Sequence, residues 1–423
     1  MEKVQLCSLT GLRLFFLGWV LTAITNFPPA FTHTSVNSAV LKINEYLNES
    51  YTDRYRPLEH HEVSLIKSGI NSVWYAGQVA GAFMSPFVCD NWGRKPAYVI
   101  SVVVMTLACG MQMIASLTPY PEFLILGRII TAVFSPLSDA ALILYLQEIS
   151  PSSLRGTISS LFSTGYAVMC LFGVLLGHED ILGHSLSVLL FVPVIPGVIS
   201  TIIVLLMPET PKFLMISKHD EKAAMKSLRF YQGEREGLEN ELITLQMESK
   251  GAEEENAGGG VKAMLTTGYL RTAFTVSVAA LVLTLPNVAQ LSSSLLMVLL
   301  TVACVTSTSI VDRFPRRTML LMAGCSCMVS LNFFVIAAEF GFKYLAMAAV
   351  FAFVLSYGVG VGPVAWFISP ELVPLQYRSV MFCMCYAVHS MLVVLTNFAT
   401  VPLIGVSASG NLIFLMINKR KLL

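Results

Sequence analysis

Asp90-Asn91-Trp92-Gly93-Arg94-Lys95, followed by Glu148-Ile149-Ser150-Pro151-Ser152-Ser153-Leu154-Arg155, is the stretch on which the reading of this chain turns. It occurs a second time as Asp312-Arg313-Phe314-Pro315-Arg316-Arg317, followed by Glu371-Leu372-Val373-Pro374-Leu375-Gln376-Tyr377-Arg378. The Asp-to-Glu separation is 58 residues in the first copy (90 to 148) and 59 in the second (312 to 371). The Glu-to-Arg separation is 7 in both, with proline three residues after the glutamate. Independent surface charges would not keep matched spacing 222 or 223 residues apart, so the chain is read as two equivalent halves.

Between these charged joints lie long apolar runs. The 423 residues are 55% hydrophobic and only 13% charged, against roughly 25% charged in an average soluble domain. Apolar segments fall near 12–34, 66–88, 96–117, 122–147, 157–177 and 184–207. After a polar bridge at 208–271 they resume at 272–289, 291–311, 318–338, 343–367, 379–400 and 402–417. Most are about 20 residues, enough to cross ~30 Å of hydrocarbon at 1.5 Å per residue. The expected fold is therefore an all-α membrane protein with about 12 transmembrane helices in two six-helix bundles. The division is 1–207 for the first bundle, 208–271 for a helical linker and 272–423 for the second bundle. The seventh and twelfth helices are short. Only 40 residues separate Arg271 from Asp312, with Pro286-Asn287 as the turn signal, so two crossings there have almost no loop.

Lysine and arginine set the orientation. Arg94, Lys95, Arg155, Arg313, Arg316, Arg317 and Arg378 sit in the short loops on the motif side, whereas the opposite short loops hold only Lys343. The positive-inside rule makes the motif loops and both termini cytoplasmic. It puts 35–64 outside, where Asn48-Glu49-Ser50 is the only N-x-S/T sequon and Asn48 is expected to be glycosylated. In the bridge, Lys218 to Lys250 reads as two amphipathic helices broken at Gln232-Gly233, and Gly251–Gly260 as a flexible linker. Two readings stand for this bridge, a solvated tether or part of a gate.

Several classes are disfavoured. A net charge of +1 without a basic patch gives no hint of nucleic acid. The pair Cys325/Cys327 is C-x-C inside an apolar run without partner ligands, which reads as packing rather than metal. No Walker loop, H-E-x-x-H or G-x-S-x-G is present, so neither ATP-driven pumping nor hydrolysis is supported and no catalytic residue or cofactor is assigned.

The duplicated motif resembles the charged set of the major facilitator superfamily. Pro208-Glu209-Thr210-Pro211-Lys212-Phe213-Leu214 and Gly360-Val361-Gly362-Pro363-Val364-Ala365-Trp366 narrow the likeness to its sugar-porter branch, most like the facilitative glucose transporters. Asn37 to Tyr51 resembles the first outer loop of those transporters. The resemblance implies the major-facilitator fold and movement of a hexose or similar polar solute by alternating access. It also implies a role for the charges: Asp90, Arg94, Glu148, Arg155, Asp312, Arg316, Glu371 and Arg378 form a latch that pairs when the inner mouth closes. Pro315 stands where the family has glycine, and loss of a backbone donor with a fixed φ is expected to distort the second latch.

At the centre the resemblance thins. No residues in 272–290 match the family's sugar-binding motif of two glutamines, glycine and asparagine. A fifth-helix glutamine of the family aligns with Ser163, a tenth-helix glutamate with Gly358, and an asparagine-tryptophan pair with His389-Ser390. Ser163, Gly362, Trp366 and His389 are the expected substrate-binding positions. Asp139 lies nine residues before Glu148, ~13 Å deeper at helical rise, and a carboxylate at that depth is a functional candidate for proton coupling. His389 and His33 are its candidate partners; Tyr166 and Tyr357 are read as packing. Besides the lipid bilayer and a small solute, no partner is assigned. The third reading is a degenerate, non-transporting member. Its motivation includes the tail Lys419-Arg420-Lys421-Leu422-Leu423, which resembles a dilysine signal for retention in the endoplasmic reticulum instead of delivery to the plasma membrane.

Overall fold

Residues 6, 8–54, 60–234, 237–255, 264, 266–284, 294–374 and 377–407 are described by the computed structural model, and every described regular element is helical. The Pro286-Asn287 turn and the 419–423 tail lie outside these residues, as does most of the expected twelfth helix.

In the first half, α1 (Leu9–Thr25) opens with Ser8, whose Oγ accepts the Gly11 N–H at 3.1 Å, meeting one of the orphan donors of a helix start. The helix breaks at Asn26, passes through a π-helical turn at Phe27–Phe31 carrying Pro28 and Pro29, and continues as α2 (Thr32–Ser38). The two parts are bent by 44°. This crossing therefore runs past the expected end at residue 34. α3 (Val40–Arg54) leads to α4 (His60–Asn91), α5 (Arg94–Ser116), α6 (Pro121–Ile149) and α7 (Arg155–Leu176). The sixth crossing joins α8 (Leu186–Phe191) to α9 (Val194–Leu206), with Pro193 at the joint.

Next come α10 (Pro211–Ile216), α11 (Glu221–Gln232) and α12 (Leu238–Glu255). The expected break is present: α11 starts on Asp220, whose carboxylate accepts the Ala223 N–H at 2.9 Å, and ends at Gly233 with φ +75°, the left-handed conformation glycine adopts without a Cβ penalty. The flexible linker expected from Gly251 is corrected in part. α12 runs helically through Gly251 to Glu255, an Ala- and Glu-rich stretch with good helix propensity.

The second half comprises α13 (Gly268–Val282), α14 (Ser294–Ile310), α15 (Arg316–Glu339), α16 (Lys343–Ser356), α17 (Gly362–Glu371) and α18 (Arg378–Ser407). A π-helical turn at Tyr357–Val361 joins α16 to α17. α13 and α14 are only 15 and 17 residues long, as the compressed spacing predicts. α18 is continuous across 400–402, so the boundary expected there is not a helix break.

Side-chain exposure identifies the solvent. Ile195, Ile199, Ile202 and Leu206 on α9, and Leu321 and Met322 on α15, are large apolar residues left uncovered. Apolar faces on that scale suit hydrocarbon, not water. The chain is a multi-pass membrane protein.

The bridge is not a free tether. Tyr231 donates to the Pro208 carbonyl at 2.6 Å and lies 2.7 Å from the Tyr145 hydroxyl. Gln232 Nε2 donates to the Ile149 carbonyl at 3.2 Å, Thr10 Oγ1 to the Gln232 carbonyl at 2.9 Å, and Arg13 covers the Phe230 ring at 5.9 Å. Apart from Pro208, where the bridge begins, these partners belong to the first bundle, so α11 is docked on it.

Candidate functional site

Two layers of function-bearing residues follow from this packing: a charged layer at the helix ends carrying the duplicated motif, here called the latch face, and a cavity deeper between the bundles.

Both copies of the latch are paired. In the first, Arg94 Nε lies 3.0 Å from Glu148 Oε1, and Arg94 Nη1 lies 3.6 Å from Asp90 and donates to the Cys89 carbonyl at 3.1 Å. In the second, Arg316 Nη2 lies 2.7 Å from Asp312, Arg316 Nε lies 3.6 Å from Glu371, and Nη1 donates to the Val311 carbonyl at 2.5 Å. The distortion expected from Pro315 is mild: Arg316 reaches the equivalent carboxylates, but its Nε stands off from Glu371 and makes no hydrogen bond there. Gly93 has φ +110° and Pro315 a φ of −60°, yet both lead the arginine back to the same partners. The missing proline N–H is harmless because Pro315 precedes the first turn of α15, where donors have no intrahelical acceptor. The copies differ in burial: the Arg94 and Glu148 side chains are 8% and 0% exposed, those of Arg316 and Glu371 27% and 20%.

Contacts between the bundles are built on helix starts. The third residue of α7, Thr157, has a backbone N–H without an intrahelical acceptor; it donates at 2.6 Å to Asp312 Oδ2 of the other bundle, and Thr157 Oγ1 donates to the same oxygen at 2.5 Å. A carboxylate there also meets the positive end of the helix dipole. Gly156 permits the approach, since a Cβ would fall 2.1 Å from both Arg316 Nη2 and Asp312 Oδ1. Asp90 lies close to Ser379 at the start of α18, whose hydroxyl makes no hydrogen bond, and Arg155 lies within electrostatic reach of Glu371. Arg378 Nε is 3.5 Å from the Val373 carbonyl. Glu209, from the proline-glutamate signature, accepts the Lys95 N–H at 3.0 Å at the start of α5 and the Thr210 N–H at 2.8 Å. Burial pushes its carboxyl above the ordinary range, opposed by those two N–H donors. Thr210 Oγ1 donates at 2.5 Å to Glu148 Oε2, tying signature and latch together.

The cavity, about 150 Å³, is walled by both bundles; an engineered apolar cavity of that size holds benzene. Ser163, Gly362, Trp366 and His389 all line it, as does Asp139. Counted along their helices, these positions lie roughly 7–17 Å from the latch, near the middle of a bilayer. Ser163 Oγ donates to the Gly362 carbonyl at 3.4 Å across the bundle interface. Trp366 lies 5.3 Å from His389, edge to face, and 5.5 Å from Tyr386. Tyr166 and Tyr357, expected to be packing, also face the cavity.

The histidine partners expected for Asp139 are corrected. Its Oδ2 accepts from Tyr386 at 3.1 Å and Ser135 at 3.5 Å, while His33 lies tilted against Trp74 and His389 edge to face with Trp366. Among the described residues, neither imidazole bonds the carboxylate. Arg128 is an additional residue of interest. It is 1% exposed, donates to the Thr32 carbonyl at 3.3 Å, lies over the Trp74 ring at 5.2 Å, and has no carboxylate partner among the described residues. Asn48 is exposed on α3. That helix packs at the end opposite the latch, where Tyr46 donates to the Ala115 carbonyl at the end of α5 at 2.7 Å.

Known proteins resemble this chain in sequence and in fold. The family described as "Sugar (and other) transporter" matches residues 7–418. Human solute carrier family 2, facilitated glucose transporter member 4, is 27% identical over 374 residues, covering 80% of this chain and 72% of that protein. Facilitated glucose transporter member 3 of Gallus gallus is 25% identical over 330 residues, covering 71% of this chain; the chain spans 65% of that relative's length. The proton:xylose symporter XylE bound to 6-bromo-6-deoxy-D-glucose superposes with a TM-score of 0.78 at 14% identity, over 97% of this chain and 92% of that one. Inward-open XylE from E. coli superposes with a TM-score of 0.65 at 14% identity, over 91% and 89%. The fold is that of the major facilitator superfamily.

Proposed function

The chain belongs to the Sugar (and other) transporter family, and on that premise we propose that it carries a hexose or similar small polar solute across the bilayer by alternating access. Its relatives are transporters, not enzymes. One observation carries the reading: a cavity walled by both bundles, separated from the latch face by hydrogen bonds that run from one bundle to the other. Opening toward the latch face requires Asp312 to leave Thr157 and Asp90 to move away from the start of α18. Each carboxylate keeps its own arginine and is rehydrated at modest cost, so both states are accessible. Ser163, Gly362, Trp366 and His389 contact the solute, and the eight latch residues govern its exit.

By the distribution of lysine and arginine the latch face is cytoplasmic and Asn48 is outside, where its sequon takes a glycan; the plasma membrane is the proposed site of action. The test is time-resolved uptake of D-glucose into sealed vesicles containing the purified chain. Saturable flux above that of empty vesicles is expected; its absence sinks the substrate assignment. The brevity of α13 and α14 favours a second reading, a non-transporting member held in the endoplasmic reticulum. An Asn48 glycan that never matures would favour it, whereas a fully processed glycan at the cell surface excludes it.

A further inference from the structure

The cavity has an unusual polar inventory for a site built to hold neutral hydroxyls. Its walls carry seven aromatic rings, those of Trp74, Tyr75, Phe162, Tyr166, Tyr357, Trp366 and Tyr386, two imidazoles, His33 and His389, and a single carboxylate, Asp139; Gln78 is the one side-chain amide, and neither lysine nor arginine lines it. Asp139 is 4% exposed. Its two oxygens are treated differently. Oδ2 takes both donors, Tyr386 and Ser135, whereas Oδ1 is buried without a hydrogen-bond partner. A carboxylate at mid-membrane depth that leaves one oxygen unanswered costs several kcal/mol unless something cationic or a proton completes it. The one buried cation on the same helix, Arg128, lies 11 residues earlier, roughly 16 Å along the axis, and does not. Arg128 stands behind Trp74, bonded to the Thr32 carbonyl, and forms no ion pair with Asp139.

Aromatic faces attract cations, and more strongly where water is excluded. A ring of indoles and phenols with one half-satisfied carboxylate is therefore chemistry for an ammonium group. Such walls also suit the C–H faces of a sugar ring, and Gln78, Ser163, Thr284 and the tyrosine hydroxyls offer partners for its hydroxyls, but Asp139 is the one lining group that answers a cation with a formal negative charge. We infer that the cavity selects a hexose-sized solute bearing a protonated amine, with Asp139 Oδ1 as its counter-ion. This rests on the transport reading above and specifies its substrate class.

The test uses the purified full chain and equilibrium dialysis against D-glucosamine and D-glucose, at a pH where the amine is protonated. The two probes differ by one ammonium in place of one hydroxyl. A charge-assisted contact in a dry site is expected to favour glucosamine by about tenfold or more. Asp139→Asn should bring the two affinities within about twofold of each other, while Tyr386→Phe, which keeps the carboxylate, should retain the preference. Equal binding of the two probes by the wild type, tighter binding of glucose, or binding of neither overturns the inference; equal or reversed preference would mean that a proton completes Oδ1. A preference that survives Asp139→Asn overturns it as well. Where that variant fails to fold, the wild-type comparison still decides. Vesicle flux separates the two claims: amine-selective binding without saturable flux of either sugar ends the transport reading and leaves this one standing.

Discussion

Asp312→Ala should open the latch by an amount that can be worked from the contacts it removes. Oδ2 of Asp312 receives two hydrogen bonds from the other bundle, from the Thr157 N–H at 2.6 Å and its hydroxyl at 2.5 Å. Each bond to a charged acceptor contributes about 1.5–3 kcal/mol. The side chain is 23% exposed, so water competes and the low end applies. The pair with Arg316 lies within one bundle and contributes to both states, so it cancels. About 3 kcal/mol is thereby lost from the closed state alone, which moves the closed-to-open ratio by on the order of 100-fold. Because the Thr157 N–H has no helical acceptor of its own, it reports the event directly. Hydrogen exchange of the reconstituted protein, read in peptides that resolve Thr157, should lose about 100-fold protection there while amides deeper in α7 keep theirs. Thr157→Ala, which removes only the hydroxyl, should show roughly a tenfold loss. Unchanged protection at Thr157 in Asp312→Ala would refute the reasoning, and so would loss spread along all of α7, which would signal unfolding instead of opening.

Three further outcomes are expected. Glu148→Ala strips the partner from a buried arginine 3.0 Å away and should cost about 3–5 kcal/mol; a thermal unfolding midpoint equal to wild type in detergent would contradict this. Tyr231→Phe deletes the hydroxyl that joins α11 to Pro208 and Tyr145, worth about 1 kcal/mol, so trypsin should cut faster at Lys222, Lys226 or Arg229, and an unaltered cleavage rate would argue that the tyrosine holds nothing. Asn48→Gln should increase electrophoretic mobility by one glycan and abolish the response to glycosidase; identical mobility would show that the sequon is unused.

The architecture was legible wherever a physical period or a repeated spacing spoke. Apolar runs of bilayer length marked the crossings, and the matched Asp-to-Glu intervals brought Arg94 to Glu148 and Arg316 to Glu371. Gln232-Gly233 announced its break because a left-handed residue was needed there. What sequence could not convey was relative placement. Asp312 and Thr157 are 155 residues apart, and their meeting depends on bundle packing, which no local pattern encodes. Pro315 misleads because proline is costly inside a helix but not just ahead of one. Tyr386 escapes notice as a partner of Asp139 since it stands on another bundle, 247 residues away. Arg128 offered a signal, a cation within the fourth apolar run, but it falls close enough to the run's end that a long side chain reaching for the interface is the default reading.

The docking of α11 has a mechanical consequence. Because Tyr231, Gln232 and Phe230 are fastened to the first six crossings, the intracellular bridge, on the proposed orientation, must swing as ballast with that half. Insertions between Leu206 and Glu221 should therefore jam the mechanism at its anchor, and a turnover rate unchanged by them would count against the docking.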